Sequence, residues 1–193
     1  MDGDLLLFIQ EYIRNDFLDP IMIFITHTGD YGILCIAVAF ILILIPKTRI
    51  LGHLTAFSIG IEFIINNVLI KNLVARIRPY EVIEDLILMI EPQPDYSFPS
   101  GHTGVTFAFA GVMLYALIYG IDGGLSKTKG YRLATLGMLL YAVLLAFSRL
   151  YVGVHYPTDV LGGIFIGLIS GCAGYHIEKA VRKKWEQRKH KAA

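Results

Sequence analysis

Five blocks of apolar residues, each near the length that crosses a bilayer as a helix, constrain this chain more than any other feature. They run at about 31–46, 50–72, 102–120, 131–149 and 158–178, and a helical crossing needs roughly 20 residues. Hydrophobic residues make up 55% of the chain and charged ones 17%, with a mean hydropathy of +0.58. A soluble domain of this size carries more charge and shorter apolar runs. The expected fold is all-α: one membrane-embedded domain over residues 1–193, a polytopic bundle of five transmembrane helices, or six if residues 4–28 also cross. That early stretch holds Leu5–Ile9 and Phe17–Thr26, interrupted by Glu11, Arg14, Asp16 and Asp19. It reads as an amphipathic segment, within residues 1–29, lying in the interface. Its acidic start, Met1-Asp2-Gly3-Asp4, is unlike the basic start of a signal peptide. Cys35 and Cys172 fall inside apolar blocks and read as small core residues. A net charge of +1 points to no nucleic-acid partner.

The basic residues set the orientation. Lys47 and Arg49 follow the first span, Lys127, Lys129 and Arg132 lie between the third and fourth, and a basic tail, 179–193, follows the fifth. All three places fall on one side, expected to be the cytoplasm. The polar, proline-bearing segment 73–101 and the junction 149–157 then face outward. Lys71, Arg76, Arg78 and Arg149 break that rule at the outward ends of spans. Snorkelling to headgroups or pairing with the acidic loop would explain one such cation. Several, beside histidines and a glycine-bearing turn, favour an anion site.

Three outward motifs carry the chemistry. In Lys71-Asn-Leu-Val-Ala-Arg-Ile-Arg78-Pro79 the two cations are seven positions apart, about two helical turns, so on one helix they would share a face, with Pro79 ending it. Arginine offers phosphate a planar fork and lysine a point charge. In Pro99-Ser100-Gly101-His102 a helix begins. Its free N–H groups and dipole attract an anion, Gly101 admits close approach, and Ser100 is a natural N-cap. In Ser148-Arg149-Leu-Tyr-Val-Gly-Val-His155-Tyr-Pro-Thr-Asp159, Pro157 suits a first helical turn. Asp159 can there accept the Nδ1 proton of His155, leaving Nε2 with the lone pair a nucleophile needs. Taken singly, His155 is also a plausible interfacial hydrogen-bonding residue and Asp159 a helix-dipole acid.

Together these motifs resemble the type 2 phosphatidic acid phosphatase superfamily, which includes the vanadium haloperoxidases. The pattern K-x6-RP, PSGH, SR-x5-H-x3-D is matched at Lys71, Arg78, Pro79, Pro99, Ser100, Gly101, His102, Ser148, Arg149, His155 and Asp159, and the resemblance covers about residues 30–178. The chain is short for that family and lacks the clear first span of many members. The resemblance implies a metal-independent, cofactor-free lipid phosphatase acting at the outer membrane face. His155 would form a phosphohistidine, Asp159 would orient it and His102 would serve as acid and base. Lys71, Arg78, Ser100, Gly101 and Arg149 would hold the phosphate. Undecaprenyl diphosphate, phosphatidylglycerol phosphate and phosphatidic acid are the candidate substrates, with a lean to the polyprenyl diphosphate. The alternative is a lipid-headgroup binder or transporter without catalysis; a haloperoxidase fits poorly with the spanning helices.

Other residues are expected to be structural. Glu62 and Asn66, one turn apart inside the second span, read as an interhelical hydrogen bond despite their depth. Gly163, Gly167 and Gly171 form a packing ridge, used within the monomer or in a homodimer. His27, His53, His176 and His190 have no evident charged company. Tyr80, Tyr151 and Tyr156 fit an outer interfacial belt, and Trp185 fits a tail lying against the anionic inner leaflet.

Overall fold

The computed structural model describes residues 2–192, with the side chains of 122, 123, 185, 186 and 189–192 left aside; Trp185 and His190 therefore lie outside the described side chains. The described residues are helical and contain no strand. In chain order the helices are α1 (Asp2–Phe8), α2 (Leu18–Thr28), α3 (Ile33–Leu44), α4 (Arg49–Phe63), α5 (Lys71–Val74), α6 (Pro79–Val82), α7 (Gly101–Tyr119), α8 (Lys129–Tyr151) and α9 (Pro157–Ala192). A π-helical stretch, Ile64–Ile70, joins α4 to α5. Among the described residues four helices are long and apolar enough to cross a membrane, and a fifth span results if α2 and α3, bent by 45° at Gly29, count as one. Four of the five expected spans are present as single helices, and the first, expected at about 31–46, reaches spanning length only together with α2.

The bend corrects one expectation. The 12-residue α3 rises only about 18 Å, short of the roughly 30 Å hydrocarbon core. Instead of lying apart in the interface, α2 leads into α3 and packs along α8. The basic tail is also not a separate segment, because α9 runs on through it.

Exposure is inverted relative to a soluble protein. Phe40, Leu44, Phe57, Leu136, Leu140, Leu161 and Phe165 all point outward, as lipid-facing residues do. The centre is α7, buried without interruption from Thr103 to Met113. It can be central because α9 meets it through the glycine ridge. A methyl group on Gly163, Gly167 or Gly171 would lie 2.6 Å from the Ser100 carbonyl, 2.5 Å from that of Gly104 or 2.9 Å from that of Ala108. Without a hydrophobic driving force between helices in lipid, such backbone proximity supplies the dispersion contact that holds them. The ridge is thus spent inside the monomer. The seam also fixes the N-terminal ends of both helices, with the Ser100 N–H donating to the Asp159 carbonyl at 3.0 Å.

Candidate active site

The three motifs, far apart in sequence, converge at one end of the bundle around a cavity of about 940 Å³ lined by Lys71, Arg78, Asp95, Gly101, His102 and His155, among others. The first motif arrives there by a route the sequence does not suggest. Lys71 and Arg78 do not share a helical face, because the helix stops at Ala75, whose φ of 47° is left-handed. That conformation costs an alanine about 1–2 kcal/mol. It turns the chain so that Arg76 and Arg78 both point back toward the site. Asp95 from the following loop then clasps Lys71 Nζ and Arg78 Nη2, each at 2.5 Å. Burial pushes the Asp95 carboxyl up, but the two cations more than offset it and hold it at about 2. Arg78 also donates to the Val154 carbonyl at 2.8 Å, and its Nη1 lies 3.5 Å from His155 Nε2.

Ser100 takes the N-cap position of α7 without a side-chain cap; its hydroxyl instead accepts from Thr103 at 3.0 Å. Gly101 faces Asn67, whose side-chain oxygen would sit 3.0 Å from an added methyl group. His102 Nε2 lies 3.1 Å from Asp30 Oδ1, and Asp30 Oδ2 lies 2.8 Å from His27 Nδ1. His27, expected to stand without charged company, therefore ends a short chain leading from His102 to the surface.

Arg149 is wholly buried. Its Nη1 donates to Thr26 at 2.6 Å, while Nε and Nη2 have no protein partner among the described residues. A buried guanidinium with two bare nitrogens is costly in a closed protein and suits a site that takes an anion. His155 is equally buried. Burial, followed by Arg78, Arg149 and Lys71, pushes its pKa well below the usual histidine range, so the ring is neutral. Asp159 is held by three donors: Arg76 at 2.6 Å, Ser97 at 2.5 Å and the Tyr156 N–H at 2.8 Å. Its Oδ2 stands 3.6 Å from His155 Nδ1, a little outside hydrogen-bond reach.

Every residue singled out from the sequence for the site is thus in or beside this cluster. Sequence reading did not give Arg76, Asp95, Asp30, Ser97 and Thr26 their places. Asp95 had a signal, as an acid five residues before Ser100 in a loop ending in the anion cradle. Tyr151 and Tyr156 are buried rather than interfacial. Tyr151 donates to Asp19, and Tyr156 lies under the Arg76 guanidinium, 3.9 Å from ring centre. Both tyrosines support the site from behind.

Fold and site together define a multi-pass membrane phosphohydrolase. The PAP2 superfamily model matches residues 33–183, and the chain belongs to that superfamily as a lipid phosphatase. Among curated relatives it is 32% identical to the undecaprenyl-diphosphatase BcrC of Bacillus subtilis, over 88% of this chain and 79% of that one. It is 34% identical to phosphatidylglycerophosphatase B of the same organism, over 81% and 73%. The crystal structure of a transmembrane PAP2-type phosphatidylglycerolphosphate phosphatase from B. subtilis superposes with a TM-score of 0.69 at 29% identity, covering 94% of this chain and 85% of that one.

Proposed function

We propose that this protein removes a phosphate from a lipid phosphate at the outer membrane face through a phosphohistidine on His155, without a metal, and that undecaprenyl diphosphate is the first substrate to test. The observation that carries this reading is a neutral, buried imidazole set among Lys71, Arg78 and Arg149, the last with two unclaimed nitrogens. A phosphoryl group needs such fixed positive charge, and a nucleophile needs a free lone pair. The names of the relatives, undecaprenyl-diphosphatase and phosphatidylglycerophosphatase, support the substrate class.

In this mechanism the Nδ1 proton of His155 faces Asp159, and closing the 3.6 Å gap on substrate binding completes that hydrogen bond. Nε2 attacks phosphorus in line. The bond to the leaving oxygen breaks, and His102 gives that oxygen a proton. The equatorial oxygens are held by Lys71, Arg78, Arg149 and the backbone N–H groups at Ser100–Gly101, and the phosphate takes over from Asp95 as the partner of the two clasped cations. Water then attacks phosphorus, His102 takes its proton, and the phosphorus–nitrogen bond breaks to restore His155. Asp30 fixes the His102 ring and links it to exposed His27, a path for proton exchange with water. Asp159, pinned by Arg76 and Ser97, stabilises the imidazolium as it forms.

The test is phosphate release by purified protein in detergent with excess EDTA, from undecaprenyl diphosphate, phosphatidylglycerol phosphate and phosphatidic acid, with His155→Ala alongside. Release by the wild type, an acid-labile phosphoenzyme and loss of both in the variant are expected. Release that needs added Mg²⁺, or that survives His155→Ala, would overturn the mechanism. Lipid movement without phosphate release would favour the transporter reading.

A further inference from the structure

A second cavity, about 530 Å³, lies between α3, α7 and α8. We propose that it binds the far part of the substrate's hydrocarbon chain and so selects lipids whose chain is longer than one leaflet. This rests on the lipid phosphatase reading and adds the tail to it.

Its lining admits hydrocarbon and little else. Three hydroxyls reach it, and each already has a partner: Tyr131 donates to the Met113 carbonyl, Thr48 to that of Leu42, and Tyr141 pairs with Thr28. Gly130, Ala134 and Gly137 carve the α8 wall, and a Cβ added at Gly130 or Gly137 would meet nothing within 4 Å. Glycine inside a membrane helix is common where another backbone packs against it. At Gly130 and Gly137 none does, and the space remains open.

The groove lies next along the bundle from the phosphate site, with no lining residue in common. Gly32 and Val105 line the polar cavity; Cys35 and Phe109, one turn further along the same two segments, line the groove. Tyr141, at its near end, bonds Thr28 beside Gly29 of the polar cavity. A lipid held by its phosphate in the polar cavity would reach the groove by passing this junction of α3, α7 and α8.

Length supplies the selectivity. Along α8, Tyr141 lies eight residues from Arg149 and Gly130 nineteen, about 12 and 28 Å of helical rise. The hydrocarbon core is roughly 30 Å thick, so the acyl chains of a diacyl lipid end near its middle, at the mouth. A long polyprenyl chain can fill the groove to its end. Volume also fits a ligand site, for which about 300–1,000 Å³ is usual.

The experiment compares undecaprenyl with farnesyl diphosphate as substrates for wild type, Gly137→Leu and Ala134→Phe. Leucine is a better helix former than glycine, and farnesyl turnover reports that each variant is folded. Displacing the equivalent of about two methylenes from the groove corresponds to a rise of about tenfold in KM. That rise is expected for undecaprenyl diphosphate alone, with kcat and the farnesyl reaction unchanged. Equal losses on both substrates would make the groove structural. No change on either would give it to a bilayer lipid or a second copy of the chain. Both results overturn the proposal. Absence of phosphate release from both substrates by wild type would instead sink the phosphatase reading beneath it.

Discussion

Two buried polar clusters lie within a helix turn or two of each other, and they leave opposite atoms bare. At the site, the unpartnered atoms of Arg149 are donors, Nε and Nη2. In mid-span, Asn66 donates to Glu62 at 2.6 Å and, weakly, to the Ser100 carbonyl at 3.4 Å. The atoms left over there are a carboxyl and an amide oxygen, Glu62 Oε2 and Asn66 Oδ1. Bare guanidinium nitrogens beside a cavity attract a phosphate, and a carboxyl and an amide oxygen offer it no such charge. The two clusters share their burial, and what separates them is the charge carried by the unsatisfied group. The mid-span pair supports α7 from behind: Asn66 reaches Ser100, and a methyl group on Gly104 would collide with Glu62 Oε1 at 2.0 Å.

Substitutions should separate the clusters in a definite order. His155→Ala removes the proposed nucleophile, and phosphate release should fall by about 10⁴-fold or more. Arg149→Met keeps the length and removes the bare donors. By analogy with the loss of an oxyanion donor, kcat should fall about 10²–10³-fold, with the protein still folded by thermal melt in detergent. The same variant has a pH signature. Burial, Arg78 and Arg149 hold the His155 pKa down, so in the wild type the acid limb of kcat/KM due to this ring lies well below pH 6.5. Removing Arg149 relieves part of that pressure, and the limb should move to higher pH. An unmoved limb would detach it from His155. Asp30→Asn should cost about tenfold in kcat with KM little changed, because it loosens His102 without touching phosphate. Glu62→Gln should leave turnover within about threefold. A loss at Glu62 as large as that at Arg149 would collapse the distinction between the clusters.

Much of this was legible in the chain. The spans are written in apolar blocks, and the site residues sit in three motifs whose spacing survives any route between them. What was illegible depended on backbone turns without a marker residue. The α5 helix ends on an alanine, not a glycine or proline, so the stretch from Lys71 to Arg78 looks continuous and nothing marks Arg76 as the partner of Asp159. Asp30 and His102 look separate because they are far apart in the chain and meet only where the bend at Gly29 packs against the His102 ring. Tyr151 and Tyr156 carry the composition of an interfacial belt, yet the close approach of the Asp2, Asp19 and Arg76 regions covers them.

The α7–α9 seam makes some glycines interchangeable with nothing and others with almost anything. In a library that replaces each glycine in turn, Gly163, Gly167 and Gly171 should come back empty of survivors, since each abuts a carbonyl of α7. Gly130 and Gly137 should tolerate side chains for folding. A tolerance map of this chain would thus trace the line along which its two chemistry-bearing helices are fused into one post, without any measurement of activity.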